Sequence, residues 1–200
     1  MDDGAGGSLS PGEGLIGCGI DTVTTDQTHA VALLIDWLVQ QGHRKIAHLT
    51  GDLASVNGQV RRDAWRAAMS GYGLALRPEW QVEGHFVAEG CAEAVLAWYL
   101  GMKEADRPSA LFAANDVMAL AVLKGMKQAG IAIPGQLALC GFDNVPEANY
   151  CEPGLTSVGQ DNEAIGRIAT GLLIDQIEHG SKQPPVSKIL QARLFVRASG

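Results

Sequence analysis

The stretch SALFAANDVMALAVLKGMKQAGIAIPGQLALCGFDN, residues Ser109–Asn144, decides the fold. A short apolar run, Ser109 to Ala114, is followed by a helical pattern over Asp116–Ala129 and by a second apolar run, Leu137 to Cys140. Two strands joined through a helix form a βαβ unit, and such strands run parallel. Both runs are continuously apolar rather than alternating, as in a sheet covered by helices on both faces. Each ends in polar residues: Asn115 and Asp116 after the first, Asp143 and Asn144 after the second. In open α/β sheets ligands bind just outside the carboxyl ends of the strands, so these two tips mark the expected binding edge.

The same alternation extends on both sides. Upstream, the spacing predicts a short strand over Leu15–Ile20 with Asp21 at its end. A helix follows over Thr24–Gln41, with Thr24 or Thr25 as cap and Ala30, Leu33, Leu34, Trp37 and Leu38 as its apolar stripe. Further elements are a strand at Lys45–Leu49, a helix from about Gln59 to Ser70, a strand at Glu79–Gly84 and a helix at Ala88–Leu100. Downstream, Val145–Ser157 contains Pro146 and Pro153 and reads as irregular. Asp161–Glu178 reads as a helix with Ile165, Ile168, Ala169, Leu172 and Ile177 inward, and Ser187–Val196 as a half-exposed edge strand. Met1–Gly14 is an acidic, Gly/Ser-rich lead-in expected to be disordered.

Composition bounds the function. The 200 residues carry a net charge of −7, a sign that repels phosphates and disfavours DNA binding by this chain alone. The four cysteines, Cys18, Cys91, Cys140 and Cys151, form no C-x-x-C pair and read as small buried hydrophobes in a reducing compartment. No signal-peptide pattern and no membrane-length apolar run is present, which gives a cytoplasmic expectation and no membrane partner. GLIGCG lacks the third glycine of a dinucleotide fingerprint. Neither a nucleophile elbow nor metal-ligand spacing is found, so the expectation is no enzyme, no catalytic residue, no metal and no cofactor.

The segments QGHRKIAHLTGD (Gln41–Asp52), RRDAWRAAM (Arg61–Met69), RPSALFAANDVMALAVLKGMKQAGIAIPGQLALCGFDNVPEA (Arg107–Ala148), PGLTSVGQ (Pro153–Gln160) and LFVRAS (Leu194–Ser199) together resemble the lactose-repressor/galactose-repressor (LacI/GalR) family of bacterial transcription regulators. The resemblance implies an effector domain of the type I periplasmic-binding-protein kind, a three-layer α/β/α fold in two lobes with the ligand between them. Residues 22–160 and 187–200 would form a nearly complete C-terminal lobe, and 15–21 with 161–186 a remnant of the N-terminal lobe. The family's helix-turn-helix headpiece and the first half of its N-terminal lobe have no counterpart here. Operator DNA is therefore expected only through a headpiece that this chain does not contain.

The expected ligand is a small polar effector, in the first instance a sugar. Asp143 follows a buried strand and a Gly-Phe turn, and its carboxylate can accept charge-assisted bonds from two hydroxyls; the other reading is an Asx turn within its own loop. Asn115 can donate and accept, but an Asn just before a helix is also a preferred cap. Asp116 reads as a complement to the helix dipole or a holder of the loop. The resemblance places Arg61 at the family's effector-contacting arginine; its alternatives are a cation–π contact with Trp65 or a solvated surface position. Phe86 can stack on a sugar or base, or sit at the edge of the core. Asp21, Ser55, Asn57 and Gln160 align with the remaining cleft positions.

The functional expectation is thus effector sensing for a LacI-type regulator, with a homodimer as the assembled form. The alternatives are a solute-binding protein of the same fold and a truncated product without function of its own.

Overall fold

The computed structural model describes residues 20–179 and 184–200. The lead-in at 1–14 and most of the strand expected at Leu15–Ile20 lie outside them, as does Cys18. Eight strands and five α-helices are present among the described residues: β1 (Thr22–Thr25), α1 (Gln27–Gln40), β2 (Ile46–Thr50), α2 (Val56–Gly71), β3 (Gln81–Glu83), α3 (Cys91–Gly101), β4 (Ala110–Ala113), α4 (Asp116–Gln128), β5 (Ala138–Asp143), β6 (Thr156–Gly159), α5 (Asn162–His179), β7 (Ser187–Leu190) and β8 (Arg193–Phe195).

The βαβ unit at Ser109–Asn144 forms β4, α4 and β5. Its two strands are parallel neighbours in the middle of a six-stranded sheet of order β3-β2-β4-β5-β6-β8. Five strands are parallel and β8 is antiparallel to β6. Side chains of β4 alternate between two cores: Leu111 packs with Val95, Tyr99, Met118 and Val122 beneath α3 and α4, while Phe112 packs with Val31, Leu34, Leu38, Trp65 and Met69 beneath α1 and α2. Because both faces are covered, no polar position interrupts β4, and the lobe is a three-layer α/β/α structure.

Several boundaries differ from the sequence expectation. Thr24 and Thr25 belong to β1, not to the helix after it. Their branched side chains suit a strand, and Asp26 takes the cap by accepting the His29 N–H. α2 begins three residues before Gln59, because Ser55 caps it by accepting the Gly58 N–H. β6 lies inside and beyond the stretch expected to be irregular. The expected edge strand is two strands, β7 and β8, in different sheets.

β1 and β7 pair in parallel as a separate two-stranded sheet, with Thr22 opposite Ser187 and Thr25 opposite Leu190. Residues 22–25 and 187–190, expected with the larger lobe, therefore pair with each other apart from the large sheet. α5 packs on β1, and only its Ala164 is buried. Of the inward face expected for this helix, Ile165, Ile168 and Leu172 are half-buried, Ala169 is exposed and Ile177 is 74% exposed. Two strands offer too little surface to cover an 18-residue helix.

The tail after β8 locks the large sheet. Ser199 Oγ donates to the Leu139 carbonyl (2.6 Å) and accepts the Thr156 N–H (2.8 Å), and the Ser199 carbonyl accepts the Leu139 N–H (2.7 Å). Ser199 is completely buried. Ser199→Ala leaves the Leu139 carbonyl and the Thr156 N–H without those partners, and should cost about 2–4 kcal/mol of stability, read by urea or thermal unfolding.

Candidate functional site

Chain order and strand order diverge between β2 and β4: the chain leaves β2 for β3 on one side and returns to β4 on the other. This topological switch opens a crevice at the carboxyl ends of the two strands. Arg61, from the second turn of α2, fills it. The residue is 5% exposed. Nε donates to Gln27 Oε1 at 2.7 Å, Nη1 donates to the Ala114 carbonyl at the end of β4 (2.5 Å), and Nη2 lies 3.7 Å from Asp143 Oδ1. The guanidinium stacks 3.8 Å over the Phe142 ring, with Phe86 at 5.7 Å. Neither sequence alternative for Arg61 is realised: its aromatic partners are Phe142 and Phe86, not Trp65, and it is buried rather than solvated.

Asp143 ends β5 with φ of 106°, and Asn144 follows at 52°. The Asp143 side chain keeps 30% of its surface exposed and accepts from Gln160 Nε2 at 3.0 Å. Burial pushes its carboxyl above the usual carboxylate range, against the pull of Arg61 and Gln160. Burial likewise drags Arg61 down to about 10, against the pull of Asp143 and Asp116. Each partner is shifted toward its neutral form, so desolvation outweighs an attraction spread over 3.7 Å.

Phe86 is half-buried at the tip beyond β3, where it and His85 both have positive φ (65° and 53°). Its ring covers Gly51 at the end of β2, where a Cβ would sit 2.0 Å from the ring. Asn115 caps α4 by accepting the Met118 N–H (2.9 Å) and donates to the Phe86 carbonyl (3.1 Å), tying the β4 tip to the β3 tip. Asn57 accepts from Gln27 Nε2 at 2.9 Å, which continues the line from Arg61 toward solvent.

Five of the expected residues, Arg61, Asp143, Gln160, Phe86 and Asn57, thus converge on one edge, and Asn115 braces it. Ser55 sits at the rim with its hydroxyl used in capping and in donation to the Asp52 carbonyl (2.6 Å). Asp21 is not brought to this edge. It lies before β1 and accepts from Gln176 Nε2 (2.6 Å) and the Val186 N–H (2.7 Å), joining α5 to the approach of β7. The apolar run before it, Leu15–Ile20, lies almost wholly outside the described residues, and Asp21 itself precedes β1.

Gln27 went unnoticed in the sequence, where it looks like any polar residue in a first helical turn; it is 5% exposed. Asp116 is fully buried. Its Oδ1 accepts from Ser157 Oγ (2.7 Å) and its Oδ2 from the Val145 N–H (2.9 Å), which matches the loop-holding role read from the sequence. Burial raises its carboxyl to about 6, with Ser157 and Val145 opposing and Asp143 adding to the rise. Among the described residues no cluster of His, Cys, Asp and Glu could hold a metal ion, and no helix is long and apolar enough to cross a membrane.

The switch point thus brings together a partly exposed carboxylate, a buried guanidinium and an aromatic ring, on a sheet covered by helices on both faces. The chain belongs to the family of periplasmic-binding-protein-like domains, whose model matches residues 35–200. It is 32% identical over 162 residues to the HTH-type transcriptional repressor PurR of Aliivibrio fischeri, a match covering 81% of this chain and 48% of that protein. Among solved structures it is similar to the transcriptional regulator CelR–cellobiose complex (31% identity, TM-score 0.82, 91% of this chain and 54% of that one). It is also similar to a LacI family transcriptional regulator from Enterococcus faecium with bound ribose (25% identity, TM-score 0.78, 90% and 65%). The chain spans about half the length of the curated relatives it matches. Those relatives are transcriptional repressors, not enzymes.

Two buried groups give stability opposite pH slopes. His48 on β2 is fully buried, donates from Nδ1 to the Phe112 carbonyl (2.9 Å) and stacks on the Phe112 ring. Burial lowers it to about 4, from an ordinary value of 6.5. The unfolded chain therefore takes up this proton first as pH falls, and the His48 contribution is full above pH 6.5 and lost toward pH 4. Asp116 is the reverse: folding favours its protonated form, so that contribution is full below about pH 4 and lost as pH rises through 6. The stability gap between wild type and His48→Leu should widen by about 3 kcal/mol from pH 4 to 6.5, and the gap to Asp116→Asn should narrow by a similar amount from pH 4 to 6, both by urea unfolding across pH.

Proposed function

We propose that this chain is the effector-sensing part of a LacI-type transcriptional regulator, with a sugar or related small polar metabolite bound at the carboxyl edge of the large sheet. The observation that carries the reading is the Arg61–Asp143 pair: 3.7 Å apart, both shifted toward neutrality, one partner open to solvent. A vicinal diol suits such a pair, because one hydroxyl can donate to the carboxylate while its neighbour accepts from the guanidinium. Phe86 offers a face for the apolar side of the ring. Sugar-bound regulators among the similar structures support the same class of ligand. In a longer protein, β1, β7 and α5 would belong to the second lobe, and closure over the effector would alter operator affinity through a headpiece. A homodimer and a cytoplasmic location are part of this proposal.

A second reading draws on α5, of which only Ala164 is buried, with Leu173, Ile174 and Ile177 exposed. A chain with so much of its smaller sheet unpartnered would fold poorly alone and have no binding function of its own. Light scattering and circular dichroism separate the two: a folded, monodisperse species favours the first, aggregation or a molten chain the second.

The test is calorimetric titration with a panel of sugars and nucleosides that includes ribose and cellobiose. A member of the panel should bind, and Asp143→Ala should weaken it by about 2–3 kcal/mol, thirty- to a hundredfold, for the loss of charge-assisted bonds. Silence of the whole panel against a folded chain, or an Asp143→Ala variant that binds as wild type does, would overturn the reading.

A further inference from the structure

The tip of β5 is the most constrained backbone near the site. Asp143 and Asn144 are consecutive non-glycine residues at φ 106° and 52°, and such positions are strained and persist only where their surroundings hold them. Three contacts from α4 and β6 do so: the Val145 N–H on Asp116 Oδ2 (2.9 Å), the Asn144 N–H on Ser157 Oγ (3.1 Å), and Ser157 Oγ on Asp116 Oδ1 (2.7 Å). The fourth comes from the far end of the chain. Arg197, two residues beyond β8, donates from Nη2 to Asn144 Oδ1 at 2.6 Å.

Arg197 is itself fixed before it reaches the tip. Nη1 donates to the Leu155 carbonyl (2.5 Å) and Nε to Asn149 Oδ1 (2.9 Å). Its backbone N–H donates to Thr156 Oγ1 (2.9 Å), which donates to the Arg197 carbonyl (3.0 Å). Its guanidinium lies 5.8 Å from the Phe195 ring. A planar fork anchored through Nη1 and Nε presents Nη2 with little conformational freedom to lose. The Asn144 side chain is thereby pinned, and with it the left-handed pair that directs Asp143 toward Arg61.

We propose that Arg197 is a positioning residue for effector binding: it fixes the Asp143–Asn144 turn from outside the site and thereby aims the Asp143 carboxylate, without touching the ligand. This rests on the reading of Asp143 as a ligand contact. Ser199 is the internal control. It lies two residues further along the same tail, is buried and bonds Thr156 and Leu139, but makes no bond to the tip.

The experiment compares wild type, Arg197→Ala and Ser199→Ala on the full chain by two measurements. Backbone NMR reads the sign of φ at positions 143 and 144 through three-bond couplings and the strong intraresidue HN–Hα cross-peak of positive φ. Calorimetry with ribose and with cellobiose reads affinity. Arg197→Ala should move both residues out of positive φ and weaken binding by about tenfold or more, while Ser199→Ala lowers the unfolding temperature and changes neither. If Arg197→Ala fails to fold, Arg197→Lys takes its place, since it keeps the charge and stem but loses the fork. Unchanged φ signs, or moved φ signs with unchanged affinity, overturn the proposal. So does a Ser199→Ala variant that loses affinity as Arg197→Ala does. If neither sugar binds the wild-type chain, the affinity arm uses whichever member of the full panel of sugars and nucleosides binds; if the whole panel is silent, the functional reading has failed separately and the φ signs alone decide whether Arg197 sets the tip.

Discussion

A guanidinium buried at the switch point between β2 and β4 constrains the whole binding edge. Removing an ion from water costs several kcal/mol even after relaxation, so each donor must find a partner. Arg61 takes the Ala114 carbonyl at the end of β4, the Gln27 side chain from α1 and the Phe142 ring from β5. Three elements of the lobe are thereby held to one planar group. The Asp143 carboxylate supplies the counter-charge from 3.7 Å, longer than a hydrogen bond. Compensation is incomplete, and the drop of Arg61 to about 10 expresses it. On the proposed reading, a ligand that brings hydroxyls between the two groups would complete their hydrogen bonding where the protein alone does not.

The aim of the site is stored in backbone geometry. Two tips, His85–Phe86 and Asp143–Asn144, each hold consecutive non-glycine residues at positive φ, and each presents one side chain to Arg61. The first is braced by Asn115, which caps α4 with its carbonyl oxygen and holds the Phe86 carbonyl with its amide. The capping reading and the site reading of Asn115 thus describe one side chain acting in both directions, with the ring of Phe86 as its indirect product. The second is braced by Asp116, whose Oδ1 occupies the space where a Cβ on residue 141 would sit, 2.0 Å away. Gly141 in the GFDN run is therefore needed for room, not for a turn.

Legibility in the sequence followed the chemistry. β2, β4 and β5 were plain because strands buried on both faces must be continuously apolar. Asp143 and Arg61 were found for different reasons, the first from its place after a buried strand and the second from resemblance alone. β1 and β6 were missed because Thr22–Thr25 and Thr156–Gly159 carry little apolar signal; their pairing partners make them strands. Gln27 was missed because a single buried glutamine looks like a solvated one until the arginine 34 positions away is seen against it. Asp21 aligns with a cleft position by resemblance alone, and the structure holds it instead before β1, bonded to Gln176 and the Val186 N–H beside the small sheet.

The chain crosses between the small and large sheets three times, after β1, after β6 and after β7, and the first two crossings are bonded directly to the Arg61–Asp143 pair. The first ends at Asp26 and delivers Gln27 to Arg61 Nε. The second begins at Gln160, which donates to Asp143. The third passes Gln191 and Ala192 into β8 and leads to Arg197 on Asn144. The second and third also meet, at a depression of about 460 Å3 lined by Gly159, Gln160, Asp161, Leu190, Gln191, Arg193 and Phe195. Hinge motion concentrates in a few residues at the ends of elements. At the first two crossings those residues are one bond removed from the groups that would hold the ligand. A rotation of the small sheet relative to the large one would pull on Gln27, Gln160 and the tail together, and a ligand that fixes Arg61 and Asp143 would resist it at the same three points. On the proposed binding mode, coupling between the ligand and lobe geometry would need no path through the core, because the first two crossings lie within one hydrogen bond of the pair.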